Sequence, residues 1–144
     1  MVRLRVAALA IRGHRILLAR HVKNARTSFL LPGGGVEMGE TAHAALAREL
    51  REEADVACAI GDLRYVVEAR APHGSKHLVQ LVFDTEILGE AGASRDARVA
   101  ACEWHDVGAL RTIDLHPAIG AVLADDLQGS GTPSCRYLEA TWVD

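Results

Sequence analysis

The chain lacks long apolar stretches and has few aromatic residues. Phe, Trp and Tyr together make up 4% of its 144 residues. The longest purely apolar run near the start extends from Val6 to Ile11 and stops at Arg12. A membrane-spanning helix needs about 20 apolar residues, and a secretory signal needs an apolar core longer than this run. We therefore expect no membrane span and a cytoplasmic location.

An excess of positive charge and a cysteine framework are also missing. Lys and Arg number 16 against 19 Asp and Glu, which gives a net charge of -3. Proteins that neutralise many phosphates need a basic surface, so we expect no nucleic-acid polymer as a partner. The three cysteines are Cys58, Cys102 and Cys135. Their odd number and wide spacing suit neither a disulfide framework nor a zinc site.

No repeat, low-complexity tract or linker interrupts the chain, so we expect a single domain over residues 1–144. Apolar runs at 3–11 and 15–20, separated by Arg12-Gly13-His14, predict a hairpin. Further predicted strands cover 63–69, 78–87, 100–105 and 137–143, and the predicted helices cover 41–54, with Thr41 as N-cap, and 117–127. This mixture predicts an α+β fold with a mixed sheet flanked by helices.

The first predicted helix carries an acidic face directly after a glycine-rich loop. Glu49, Glu52 and Glu53 fall within about a third of the helix circumference. Like charges so close together repel each other, and a hard divalent cation such as Mg²⁺ would explain the cluster. The preceding 33–35 segment is three glycines, whose backbone can approach a phosphate group. A solvated helix face paired with arginines is the structural alternative.

These residues resemble the signature of the MutT/Nudix hydrolase family. That signature is Gly, five residues, Glu, seven residues, Arg-Glu, an aliphatic residue, any residue, Glu-Glu, any residue, Gly and an aliphatic residue. The matching residues here are Gly34, Glu40, Arg48, Glu49, Leu50, Glu52, Glu53 and Val56. Asp55 stands where the family usually has glycine, at a helix end where a left-handed conformation is typical.

The resemblance implies a Nudix fold, an α/β/α sandwich, and hydrolysis of a pyrophosphate bond in a nucleoside diphosphate linked to another group, with Mg²⁺ or Mn²⁺ as cofactor. It implies metal ligands at Glu49, Glu52, Glu53 and the Gly33 carbonyl, catalytic roles for Glu52, Glu53 and Arg48, and substrate-binding roles for Gly34, Gly35 and Glu40, with Glu40 an outer or occasional metal ligand. The general base stays open among Glu52, Glu53, Glu68 and Glu86. A homodimer rests on the resemblance alone.

The substrate is less defined by these motifs. Some family members that cleave ADP-ribose carry a proline about sixteen residues beyond the signature, and Pro72 lies at that distance from Val56. Proline is also a common turn residue. ADP-ribose-like compounds and (d)NTPs therefore both stay open as substrates, with Phe29 and Trp104 as candidates for stacking a base. The main functional alternative is a catalytically silent Nudix-fold module that binds or senses a nucleotide.

Overall fold

The computed structural model describes residues 1–129 and 134–142. The strands in these ranges are β1 (Arg3–Leu9), β2 (Ile11–Arg12), β3 (Arg15–Lys23), β4 (Arg26–Leu30), β5 (Gly33–Gly35), β6 (Ala57–Arg70), β7 (His77–Leu88), β8 (Ala101–Asp106) and β9 (Arg136–Thr141). The α-helices are α1 (Ala42–Ala54) and α2 (Gly120–Gln128). A short 3₁₀ helix, Val107–Arg111, follows β8.

The strands form two sheets. The larger has the order β5-β1-β7-β6-β9. It is mixed, because β1 runs parallel to β7 and β6 parallel to β9, whereas β1 with β5 and β6 with β7 are antiparallel. The smaller sheet contains β2, β3 and β4, and β8 pairs with the other edge of β3. The predicted α+β fold with a mixed sheet is confirmed.

The two helices cover opposite sides of the strands. Along β1, Val6 and Ala8 pack in one apolar core with α1, while Ala7 and Leu9 pack in a second core with α2. Alternate residues of a strand point to opposite faces, so β1 contributes to both cores. This arrangement gives the three layers of a sandwich, with the acidic helix on one side.

The predicted hairpin between 3–11 and 15–20 is wrong. β1 pairs with β5 and β7, and β3 pairs with β2, β4 and β8, so the two segments lie in different sheets. The hairpin that does form is shorter and joins β2 to the start of β3, with Ile11 opposite Ile16. Val6 to Ala10 are all buried. Burial on both faces is typical of a strand inside a covered sheet, and β1 indeed lies between β5 and β7.

The second helix begins later than predicted, at Gly120 rather than at Pro117. The backbone of the segment before it is used elsewhere, because the Ala118 N–H donates to the Thr141 carbonyl and the Ile119 N–H to that of Pro117. A strand near the chain's end is confirmed over Arg136–Thr141. Residue 143, which was predicted to belong to it, lies outside the described residues.

The described helices are short. The longer one, α1, has 13 residues, and it buries one face while exposing the other. None of the helices in residues 1–129 and 134–142 is long and apolar enough to cross a membrane.

Candidate metal and phosphate site

The packing of helix α1 determines how far its acidic side chains are buried. The Thr41 hydroxyl accepts a hydrogen bond from the Ala44 N–H, as expected for the predicted N-cap. Leu46 and Leu50 are fully buried beneath the helix. Side chains four residues apart on a helix share a face. The helix therefore holds Glu49 and Glu53 at the inner edge of its packed face, where their exposures are 5% and 3%.

The glycines of β5 allow a very close approach between this strand and its neighbours. A Cβ atom on Gly33 would lie 1.9 Å from the Val6 carbonyl oxygen of β1. A Cβ atom on Gly34 would lie 2.4 Å from the carboxylate of Glu49. The Gly33 N–H donates to Oε2 of Glu53 at 3.3 Å. Only glycine fits at position 33, where the obstacle is backbone, and a side chain at position 34 would displace the Glu49 carboxylate. The backbone of β5 therefore contacts the acidic helix directly.

Arg48 connects the glycine strand, the loop after it and the helix. Its guanidinium donates to both carboxylate oxygens of Glu40 at 2.8 and 2.9 Å, to Glu49 Oε1 at 2.9 Å and to the Gly35 carbonyl at 3.1 Å. The hydrogen bonds from Arg48 hold the pKa of Glu40 at about 2. Glu40 is therefore a charged partner that fixes Arg48, and Arg48 in turn orients Glu49.

Three carboxylates converge beside the glycines, and one of them was not predicted. Glu49, Glu53 and Asp96 each place an oxygen within 4.8 Å of the other two. Glu52 lies outside this group, with a side chain that is 43% exposed and an Nη1 atom of Arg48 at 3.4 Å. Asp96 comes from the loop at residues 89–100, between β7 and β8. The resemblance assigned no role to this loop.

The 89–100 loop is anchored to the end of α1. The N–H groups of Gly92 and Arg95 donate to the carbonyls of Ala54 and Glu52, both at 2.6 Å. These are carbonyls of the last helical turn, which have no partner within the helix. Asp55, with φ 51 and ψ 45, has the left-handed conformation predicted for this helix end. The loop thereby completes the helix terminus and carries Asp96 toward the glutamates.

Asp96 is held in place within its own loop. Arg98 donates to both of its carboxylate oxygens, at 3.1 and 2.9 Å. The Asp96 N–H donates to the Ser94 hydroxyl oxygen at 3.1 Å. The hydrogen bonds from Arg98 lower the pKa of Asp96 below its ordinary value. Asp96 is thus an ionised carboxylate in a fixed orientation.

The electrostatics of the group are unfavourable without a cation. Burial, followed by the nearby charge of Glu49, raises the pKa of Glu53 to about 8. Burial also raises the pKa of Glu49, whose buried Oε2 has no hydrogen-bond partner. An unpaired buried carboxylate oxygen is costly. A set of oxygen donors with no imidazole or thiolate among the three suits a hard cation such as Mg²⁺. The residues present fit that ion.

The other candidates of the sequence analysis lie elsewhere. Glu68 on β6 binds His77 and the Tyr137 hydroxyl, and Glu86 is exposed on β7, so neither belongs to the carboxylate group. Pro72 lies in the connection between β6 and β7, where the Ala71 N–H donates to the Lys76 carbonyl. The turn interpretation of this proline is therefore favoured.

The two aromatic candidates pack against neighbouring side chains. Phe29 is partly buried against the α2 core and meets the His105 ring edge-on at 5.0 Å. Trp104 is partly buried against the α1 core, with the Arg12 guanidinium 4.8 Å from its ring centre. Packing accounts for both positions.

Comparison with known proteins decides the family. Residues 1–126 match the NUDIX domain. The chain belongs to the Nudix family. A Mycobacterium tuberculosis protein named "Putative 8-oxo-dGTP diphosphatase 2" is 37% identical to this Nudix chain over 127 residues, covering 83% of the chain and 84% of that protein.

One further relative and one solved structure are also similar to the chain. An ADP-ribose pyrophosphatase from Methanocaldococcus jannaschii is 36% identical over 101 residues, which are 67% of this chain and 57% of that protein. The chain thus spans little more than half the length of that relative. A NUDIX hydrolase structure from Nitrosomonas europaea superimposes with a TM-score of 0.78 at 16% identity, covering 89% of both chains. This last likeness confirms the fold.

Proposed function

We propose that this Nudix chain is a metal-dependent hydrolase that cleaves the pyrophosphate bond of a nucleoside diphosphate derivative. The observation that carries the proposal is the convergence of Glu49, Glu53 and Asp96 within 4.8 Å, beside Gly33, where no side chain fits. Nudix hydrolases in general use divalent metal ions. Bound Mg²⁺ or Mn²⁺ would screen the diphosphate charge and activate a water molecule.

We assign the ligand roles to the buried end of the acidic helix and to the loop beside it. Glu49 and Glu53 hold the cation from the helix, and Asp96 holds it from the 89–100 loop. The unpartnered Glu49 Oε2 is available for this bond. The carbonyl of Gly33, in the strand that contacts Glu53, is another proposed protein ligand.

We assign a positioning role to Arg48 and Glu40, because their paired side chains hold Glu49 and the Gly35 carbonyl. Glu52 is either a further ligand or the base that takes the proton of the attacking water, since its side chain is the most exposed of the three helix glutamates. Glu52→Gln separates these roles. Loss of turnover with unchanged Mn²⁺ affinity indicates a base, and loss of both indicates a ligand.

The substrate class is proposed from the relatives and from the charge of the surface near Glu52. The relatives are named for ADP-ribose and 8-oxo-dGTP, both of which contain a phosphoanhydride. An open groove of about 800 Å³ lies along the outer face of α1 and is lined by Ala44, Ala47, Arg48, Arg51, Glu52 and Arg95. Three arginines around one glutamate suit an anionic nucleotide.

A substrate panel tests the proposal. The protein is incubated with Mg²⁺ and, separately, ADP-ribose, dGTP, 8-oxo-dGTP, diadenosine polyphosphates and nucleotide sugars, and the products are identified by chromatography. We expect a nucleoside monophosphate from at least one compound and none from the same compound when EDTA is present. Binding of a nucleotide with no product from any compound would instead support the catalytically silent module.

A further inference from the structure

Arg5 on β1 is a basic residue with no role in the site described so far. Its side chain is partly buried, and its Nε atom is buried without a hydrogen-bond partner. Among residues 1–129 and 134–142, no carboxylate forms an ion pair with it. A partly buried guanidinium whose inner N–H has no partner is destabilising unless an anion compensates it. Its retention at this position therefore needs an explanation.

The position of Arg5 in the sheet places it beside the proposed phosphate site. Its Cα partner on one side is Gly35 of β5, and its Cα partner on the other side is Gln80 of β7. Partners on neighbouring strands are about 5 Å apart and present their side chains on the same face. A Cβ atom on Gly35 would meet no atom within 4 Å. In the row of paired residues Gly35, Arg5 and Gln80, the space next to Arg5 over Gly35 is therefore open.

A second unpartnered donor lies in the same row. Gln80 is 1% exposed, and its side-chain Nε2 is buried without a hydrogen-bond partner. Both Arg5 and Gln80 thus present N–H donors that the protein does not use. A ligand that satisfies two donors must supply acceptor oxygens, and the non-bridging oxygens of a phosphate are the strongest acceptors in a nucleotide.

The charges around Arg5 point to the same ligand. Glu53 and Glu49 are the acidic groups that act on its guanidinium, which places Arg5 within electrostatic range of the proposed metal ligands. A substrate phosphate bound next to the metal ion would lie between these carboxylates and Arg5. Positive groups on both sides of a phosphoanhydride stabilise the charge that develops on it during hydrolysis.

We propose that Arg5 binds a phosphate group of the substrate in the open space over Gly35, with the Gln80 amide as a second donor. This inference rests on the proposed function and adds a substrate-binding residue to it. It also explains the partly buried guanidinium with its unpaired N–H, which binds the substrate at the expense of the stability of the free protein.

The test measures binding of α,β-methylene-ADP, a diphosphate analogue that cannot be cleaved between its phosphates, by calorimetry with Mg²⁺ present. Arg5→Met keeps an unbranched, flexible side chain, shorter than that of arginine, and removes the donors. We expect it to weaken analogue binding by about 10- to 100-fold, the usual range for a charge-assisted hydrogen bond. Arg5→Lys should recover part of the affinity, and Gln80→Met should weaken binding by only a few-fold, because the Gln80 amide itself carries no charge.

Arg3→Met is the matched control, because Arg3 is an exposed arginine two residues away on the same strand. It should bind the analogue like the wild type. Arg5→Met should melt at the same temperature as the wild type or higher, and its Mn²⁺ affinity should not fall. A structural role for Arg5 would instead lower the melting temperature.

Unchanged analogue affinity in folded Arg5→Met would overturn the proposal for Arg5, and unchanged affinity in Gln80→Met would remove Gln80 from it. If Arg5→Met does not fold, Arg5 is structural and the proposal is overturned, unless Arg5→Lys folds and binds the analogue more weakly. Failure of the wild type to hydrolyse any substrate in the panel would overturn the proposed function alone, since analogue binding needs no turnover.

Discussion

The acidic helix and the 89–100 loop supply the same candidate site in different ways. Helix α1 follows the glycine strand within a few residues, and its capping, apolar face and glutamates all lie in one continuous segment. The loop lies about 40 residues further along the chain, and it reaches Glu49 and Glu53 only because it is anchored to the carboxyl end of the helix. One half of the site is local in sequence and the other depends on the fold.

This difference explains which parts could be predicted. A helix advances about 100° per residue, so the shared face of Glu49 and Glu53 follows from their spacing alone. The left-handed conformation of Asp55 follows from its place at the helix end. Asp96, by contrast, stands in a short polar segment of ordinary composition. Its only local signal is Arg98 two residues later, which many surface loops also have.

The errors in the fold have the same physical origin. The boundaries of α1 agree with the prediction, since its cap and apolar stripe are local. The strand predicted to pair with β1 is wrong. A break at Arg12-Gly13-His14 is compatible both with a hairpin and with a connection that crosses from one sheet to the other. Similarly, Pro117 is a favourable first residue for a helix, yet the neighbouring backbone bonds to the end of β9. Such pairings are set by distant parts of the chain.

The helix half of the site should show the largest effect on catalysis. Glu53→Gln removes a proposed ligand while keeping the volume of the side chain. We expect kcat to fall at least about a hundredfold on whichever substrate the panel identifies. The measurement is steady-state hydrolysis by the folded variant at saturating Mg²⁺.

Glu139→Gln is the control for this variant, because it makes the same change at an exposed position on β9, at the opposite edge of the larger sheet from β5. Its kcat should stay within about threefold of the wild-type value, as expected for a surface change away from the reacting groups. Near-normal turnover by Glu53→Gln would show that the helix half is not catalytic.

Removing the carboxylate of the loop half should weaken metal binding, by a smaller factor than the fall in kcat expected for the helix half. Asp96→Asn removes the negative charge and leaves the shape of the side chain nearly unchanged. We expect Mn²⁺ affinity, measured by electron paramagnetic resonance, to fall by about 10- to 100-fold. Asp62→Asn, at an exposed position on β6, should bind Mn²⁺ like the wild type. Equal affinity in both variants would mean that the helix alone holds the cation.

The stability of the metal-free protein should depend on pH through Glu53. Its pKa is raised to about 8, whereas the unfolded group titrates near 4.5, so the folded state keeps a proton that the unfolded state has lost. Stability should therefore fall as the pH rises from about 5 to about 8. Urea unfolding in EDTA at several pH values measures this fall. Glu53→Gln should reduce the slope, and two parallel curves would contradict the assigned burial effect.

The junction between the helix and the loop should be the least sensitive to change. Asp55→Gly replaces a residue whose left-handed conformation is strained by its Cβ, and we expect the free energy of unfolding to rise by about 0.5–1 kcal/mol. The lost ion pair with Arg95, at 3.9 Å between two exposed side chains, contributes little. Because the loop is anchored through backbone N–H groups, Mn²⁺ affinity should stay within about twofold of the wild-type value. Urea unfolding and Mn²⁺ titration of the same preparation measure both quantities. A stabilised variant with much weaker Mn²⁺ binding would show that the Asp55 side chain, rather than the backbone contacts alone, holds Asp96 beside the glutamates.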